Sequence, residues 1–254
     1  MWGAIIGDIA GSIYEYEQMK KIKNINCKEI IPANGFFSDD TILTIAIADA
    51  IINNKDYEEN LKMYGKRYED YKPNHKPYFE TIFSPGFMKW VNEEKEGSSI
   101  GNGAMMRISP IGYMFQSEQE VIKNAKLATV PSHNSEEAIK SSKIVALIIY
   151  YARMGMPKDE IIKKLNLEIK YKEFKKFNLT CKETLGNCLY ALFTSNSFEN
   201  SVKKVISYGG DTDTNASIVG AMAEAIYGID NTIIDKVKEK LPIEFIQIIE
   251  KEYQ

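Results

Sequence analysis

The 254-residue sequence predicts an all-α protein. Apolar residues recur at three- and four-residue intervals in most segments, and no run of alternating strands bounded by Asn-Gly or Asp-Gly turns interrupts them. Residues 41–52 and 215–227 are apolar or small on nearly every side, as in helices surrounded by other helices, and are expected at the centre of a bundle. With 44% hydrophobic and 26% charged residues, the chain has enough length to bury one substantial core, so residues 1–254 are expected to form a single domain.

The first segment, MWGAIIGDIAGSIY, has no basic leader and carries Asp8, so it is not a signal peptide. Gly3, Gly7 and Gly11 repeat every fourth residue and so line one side of a helix, where another backbone can approach closely. Asp8 and Glu15 are seven apart, which on one continuous helix places them within about 20° of each other and roughly 10 Å apart along the axis. An acidic face on a Gly- and Ala-rich helix points to function at Glu15; simple exposure at the segment's end is the plainer alternative.

Phe37-Ser38-Asp39-Asp40-Thr41 stands at the mouth of the first apolar helix. Ser and Asp are favoured there as caps, and the helix dipole tolerates negative charge. One carboxylate suffices for a cap, however, and two adjacent ones at the edge of the core call for a balancing cation. Breaks fall at Pro32 to Gly35, Lys72-Pro73-Asn74, Ser84-Pro85-Gly86, Gly97 to Gly103, Pro131-Ser132, Gly155-Met156-Pro157 and Tyr208-Gly209-Gly210. The Gly101-Asn102-Gly103 turn could offer backbone N–H groups as an anion-binding nest near Arg107, although a tight loop with a salt-bridged Arg107 explains it equally. His133 precedes a helix predicted from Glu136 to Arg153 and reads as a cap, a surface residue or a ligand contact. His75 lies in a polar loop and receives no role. Residues 163–182 alternate lysines with Leu and aromatic residues, a solvated face over an apolar stripe. Residues 231–253 read as one or two closing amphipathic helices, with Pro242 at a boundary.

The acidic pattern returns at Gly209-Gly210-Asp211-Thr212-Asp213-Thr214-Asn215, again at the mouth of a small-residue helix. It is not an EF-hand: a loop beginning at Asp211 would need Gly where Ala216 stands and Glu where Met222 stands. Nor does it suit an aspartyl-phosphate phosphatase, because Ile206 to Gly210 is a poor strand end and the chain has no βαβ rhythm. Two such clusters entering two buried helices favour a metal. Carboxylates and hydroxyls without Cys select a hard cation, with Mg²⁺ or Mn²⁺ preferred.

A formal net charge of -3 argues against a nucleic-acid-binding surface. Cys27, Cys181 and Cys188 are too few and too scattered for a disulfide framework; the last two share a helix face as buried thiols, and a reducing compartment fits. The apolar stretches are too short for a membrane span, so a cytoplasmic protein is expected.

These pieces, in this order, resemble the ADP-ribosylglycohydrolase family. The likeness rests on Gly7-Asp8 through Glu15, Ser38-Asp39-Asp40-Thr41, Gly101 to Arg107, Ser132-His133 and Gly209 to Thr214, and it also covers residues 181–198. The resemblance implies a compact orthogonal helical bundle with a central binuclear site holding two Mg²⁺ or Mn²⁺ ions. Ser38, Asp39, Asp40, Asp211, Asp213 and Thr214 match the family's metal ligands, and Glu15 its active-site glutamate, which would position or deprotonate water. Asn102, Gly103, Met105 and His133 match the region around the ADP-ribose, especially its pyrophosphate. The implied substrate is an ADP-ribosylated protein, with arginine as the leading acceptor, or a small ADP-ribosyl molecule. A two-metal phosphoesterase and a non-catalytic ADP-ribose-binding relative are the alternatives. Two departures stand out: Tyr78 to Gly86 replaces a Gly-Tyr-Gly-type segment, and Glu224 stands where small residues are usual, marking a local exposure or an interface.

Overall fold

The computed structural model describes residues 1–73, 81–93 and 97–251. His75, Tyr78 to Glu80 and Tyr253, which figured in the sequence reading, lie outside them. The regular structure of the described chain is helical: α1 (Trp2–Gly11), α2 (Glu15–Lys20), α3 (Asp39–Ile52), α4 (Tyr57–Arg67), α5 (Pro85–Asn92), α6 (Gly103–Met106), α7 (Ser109–Met114), α8 (Glu118–Thr129), α9 (Glu136–Arg153), α10 (Lys158–Lys164), α11 (Cys181–Phe193), α12 (Phe198–Ser207), α13 (Thr212–Tyr227), α14 (Asn231–Lys238) and α15 (Ile243–Glu250). No strand occurs among the described residues, where pairing is limited to the isolated bridges Ser98–His133 and Gly101–Thr180.

The expected central helices are central. α13 is buried from Thr212 to Ala223 and packs on α1, α9, α11 and α12; α3 is buried from Asp40 to Ala50. The four-residue glycine spacing sets how α1 meets α13. A Cβ at Gly3 would stand 2.1 Å from the Gly220 carbonyl oxygen, at Gly7 2.0 Å from that of Ala216, and at Gly11 2.3 Å from that of Thr212. The two helices therefore run antiparallel, backbone against backbone, and the end of α1 is pinned to the start of α13. That register delivers residues 8–15 to the second acidic cluster.

One expectation about this segment fails. Asp8 and Glu15 do not share a helix, because α1 ends at Gly11 and residues 12–14 form a turn. Ser12 turns its hydroxyl onto the Ile9 carbonyl at 3.0 Å and accepts the Phe36 N–H at 3.2 Å, tying the helix end to the strap before α3. Glu224 is likewise largely covered rather than exposed. Its carboxylate accepts the Gly3 N–H at 2.8 Å and lies 3.0 Å from the Met1 ammonium, capping α1 from the far end of α13.

Local chemistry explains the remaining boundaries that matter for the cavity. Ser135 caps α9 by accepting the Ala138 N–H at 3.1 Å. Ser84 caps α5, with Pro85 in the first turn, so the Ser-Pro-Gly break is a helix start. Between α12 and α13, Gly209 and Gly210 adopt φ of 75° and 78°, left-handed values that reverse the chain directly before Asp211. The Lys-rich residues 165–180 form an irregular connection, with Phe174 as a buried anchor. As expected, α14 and α15 meet at Pro242, and Cys181 and Cys188 are buried free thiols on α11.

Candidate active site

The mouth of α3 is built by a residue from another helix. Asp8 on α1 is fully buried, and its Oδ2 accepts the N–H groups of Ser38 (2.8 Å) and Thr41 (3.1 Å) and the Thr41 hydroxyl (2.5 Å). Its Oδ1 accepts the Ser38 hydroxyl at 2.8 Å. Ser38 is the N-cap of α3, accepting the Asp40 N–H at 3.4 Å, and Asp8 supplies further acceptors for the Ser38 and Thr41 donors, so the Asp39 and Asp40 carboxylates are not needed as caps. At α13 the cap position is held by Asp211, whose side chain makes no capping hydrogen bond.

The two acidic clusters meet. Carboxylate oxygens of Asp8, Asp40 and Asp213 lie within 4.8 Å of one another, and so do those of Glu15, Asp211 and Asp213. Asp213 belongs to both groups. Thr214 joins them, donating its hydroxyl to Asp40 Oδ2 at 3.2 Å. Asn102 Nδ2 donates to Asp211 Oδ2 at 2.6 Å, while the Asp211 N–H is held by Asn178 Oδ1 at 2.8 Å.

Such proximity is costly without a counter-charge. Burial, followed by the charges of Asp8, Asp213, Asp39 and Asp211, pushes the Asp40 carboxyl well above the usual carboxylate range. Burial and then the Glu15 charge raise Asp211 to about 7, against the lowering effect of its hydrogen bonds to Asp213 and Asn102. Asp40 Oδ1 is buried and accepts no hydrogen bond. An orphaned carboxylate oxygen in a cluster of acids and hydroxyls is a donor set suited to a hard divalent cation, whose charge would lower these raised values. Asp8, with both oxygens already committed to α3, orients this set from behind.

The acids form part of the wall of a cavity of about 890 Å³, a volume suited to a nucleotide-sized ligand. Glu15, Ser38, Asp39, Asp40, Asp211, Asp213 and Thr214 all reach it, as do Asn102, Gly103 and His133. Phe83, Phe87 and Trp90 supply an aromatic portion, mutually packed with ring centroids 5.2 and 5.6 Å apart. Met105 does not fit its expected place: it is buried in the core, and the neighbouring Met106 faces the cavity. The anticipated nest is also absent, since Asn102 has helical angles and neither Gly101 nor Gly103 takes positive φ; the turn opens directly into α6.

His133 is neither cap nor surface residue. It is 6% exposed, lies in a loop stitched to residues 97–99, and has its ring against the cavity. Sequence reasoning left Arg107, Asn178 and Asp8 outside the site. Arg107 is 1% exposed, and burial lowers it to about 10. It donates to Ser132 Oγ rather than to a carboxylate, and Nε and Nη1 find no partner among the described residues. Asn178 carried no signal, for its role is a set of contacts to Asp211, Thr184 and Asn215 across the fold. Asp8 carried one: a lone carboxylate among glycines and isoleucines needs buried donors.

The model of the ADP-ribosylglycohydrolase family matches residues 1–251. The chain belongs to the ADP-ribosylglycohydrolase family. It is therefore a glycohydrolase. Mouse ADP-ribosylhydrolase ARH3 is 22% identical, over 90% of this chain and 82% of its own length. The ADP-ribosylarginine hydrolase Tri1 of Pseudomonas putida is 21% identical, over 89% of this chain and 69% of its own. A solved structure, an ADP-ribosylglycohydrolase-related protein complex, superposes with a TM-score of 0.72 over 97% of this chain and 93% of its own, at 18% identity. That likeness places the helical architecture within the ADP-ribosylglycohydrolase fold. No described helix is long and apolar enough to cross a membrane.

Proposed function

We propose that this protein hydrolyses the glycosidic bond between ADP-ribose and an acceptor, releasing free ADP-ribose, with two Mg²⁺ or Mn²⁺ ions held by Ser38, Asp39, Asp40, Asp211, Asp213 and Thr214. The observation that carries this reading is the pair of carboxylate groups sharing Asp213, with an unpartnered Asp40 oxygen, in the wall of a nucleotide-sized cavity. When bound, the ions would orient the ribose and a water and offset charge as the sugar becomes oxocarbenium-like.

The chain's own residues do the rest. Asp8 fixes the mouth of α3, and Ser38 donates its hydroxyl proton to Asp8 while its oxygen accepts the Asp40 N–H, which holds the serine at the edge of the site. Asn102 fixes one oxygen of Asp211. Glu15, half-buried at the start of α2, takes the proton of the attacking water; the water oxygen bonds to the anomeric carbon as the bond to the acceptor breaks. Phe83, Phe87 and Trp90 offer faces for the adenine, and Asn102, Gly103 and His133 surround the pyrophosphate. The acceptor is an arginine side chain of an ADP-ribosylated protein, as for the ADP-ribosylarginine hydrolase Tri1 of Pseudomonas putida. The whole of residues 1–254 works as one domain, and its three unbridged thiols suit the reducing cytoplasm.

Product analysis tests the reading. Purified protein with Mg²⁺ or Mn²⁺ is incubated with arginine-, serine- and nucleobase-linked ADP-ribose. Intact ADP-ribose released from the arginine substrate is the expected result; AMP with ribose phosphate would replace the proposal with a two-metal phosphoesterase.

A further inference from the structure

The wall of the cavity between the acids and the aromatic rings contains a buried hydrogen-bonded chain whose proton positions follow from its members' chemistry. Arg107 Nη2 and Ser132 Oγ are in hydrogen-bond contact, and Ser132 Oγ lies 2.8 Å from His133 Nδ1. A guanidinium can only donate, so Ser132 must accept from Arg107. The serine hydroxyl then has its own proton to place, and His133 Nδ1 is its one acceptor among the described residues. Leaving that buried hydroxyl without an acceptor would forfeit a hydrogen bond. Nδ1 therefore carries the lone pair and Nε2 the proton.

Among the described residues Nε2 makes no hydrogen bond, and it stands beside Gly101 and Gly103. A Cβ built on either glycine would lie 3.6 Å from it, so these two residues leave that nitrogen uncovered. We propose that Arg107 and Ser132 are positioning residues that act through His133, holding its imidazole as the neutral Nε2–H tautomer so that it offers one fixed donor to a phosphate oxygen of the substrate. The role of this donor rests on the functional reading above; the tautomer does not.

The surroundings support a ring that stays neutral. Burial, and then the Arg107 charge, hold His133 well below its ordinary range. The other titratable groups acting on this cluster are Asp39 from α3, which favours the Arg107 charge, Cys181 at the start of α11 and Glu137 at the start of α9. Burial and then the Glu137 charge push the Cys181 thiol up to about 12, so it stays protonated and adds no charge. A neutral donor of this kind would contact phosphate with the same geometry across the physiological pH range.

The chain has two histidines, His75 and His133, which makes a direct test practical. Protein labelled with ¹⁵N-histidine, with H75Q for assignment, is followed by long-range ¹H–¹⁵N NMR from pH 5 to 8. A protonated Nε2 and lone-pair Nδ1 for His133, unchanged across that range, is the expected result. A proton on Nδ1, or titration near pH 6.5, overturns the proposal. In S132A the Nδ1 signal should shift and ADP-ribose dissociation constant should rise about tenfold, with kcat changed less than twofold; S132T should restore both. An S132A protein with unaltered Nδ1 signal and unaltered affinity also overturns it. If the wild-type tautomer is as stated but ADP-ribose does not bind, the substrate reading fails while the proton assignment stands.

Discussion

Asp211→Asn changes one buried oxygen to nitrogen and removes a single charge from the acid cluster. The Asn102 Nδ2 contact, now 2.6 Å, can be kept by the new amide oxygen, and the Asp211 backbone bond to Asn178 is untouched. In metal-free protein the carboxyl holds its proton up to about pH 7, against 3.8 for the free group. The folded state therefore binds more protons than the unfolded state between those values. The associated stability is complete below pH 3.8 and is lost as pH rises through 7. That interval corresponds to at most about 4 kcal/mol, which in a protein of this size is on the order of 10 °C in Tm. In EDTA, D211N should accordingly be more stable than wild type at pH 8, and the gap should close toward pH 4. Saturating Mg²⁺ or Mn²⁺ should reverse the order, because only the wild type keeps a full ligand set to gain from binding. The assay is thermal unfolding by circular dichroism at pH 4.5, 6 and 8, with EDTA and with metal. A gap in EDTA that does not depend on pH, or a variant with the full metal response, would refute the argument that Asp211 is a strained metal-ligand carboxylate.

Gly7→Ala should destabilise by about 3 kcal/mol or more, since its Cβ meets the Ala216 carbonyl at 2.0 Å and backbone cannot move aside. Gly186→Ala, open on α11, should instead stabilise by up to about 1 kcal/mol; urea unfolding measures both. Asp8→Ala strands the Ser38 and Thr41 donors and should lower stability by about 3 kcal/mol while abolishing metal-dependent stabilisation. Glu15→Gln should cut kcat far more than it weakens ADP-ribose binding; equal losses would reassign Glu15 to binding or structure.

Much of this protein is legible locally. The all-α class, the glycine-lined first helix, the two apolar helices and the acidic residues at their mouths are short-range patterns. Each is a periodicity or a cap signal spanning a few turns, and α3 and α13 occupy the centre as their composition demands. The same patterns set apart the clusters Ser38 to Thr41 and Asp211 to Thr214 as more acidic than capping alone requires; which of their members match metal ligands came only from the family resemblance.

Only the tertiary structure decided which group performs which task. Asp8 accepts donors at a helix mouth thirty residues away, so its job could not be assigned until α1 and α3 were packed. The turn at Ser12 depends on Phe36, and without that partner the Asp8–Glu15 spacing reads as one helical face. Met105 and Met106 are indistinguishable in sequence; the direction of α6 sends one to the core and the other to the cavity. Arg107, Ser132 and His133 share a chain of hydrogen bonds because residues 97–99 stitch the His133 loop beside α6. Sequence periodicity reports how a segment partitions between core and water. The partner of a buried donor or charge is set by the long-range packing that removes water from it.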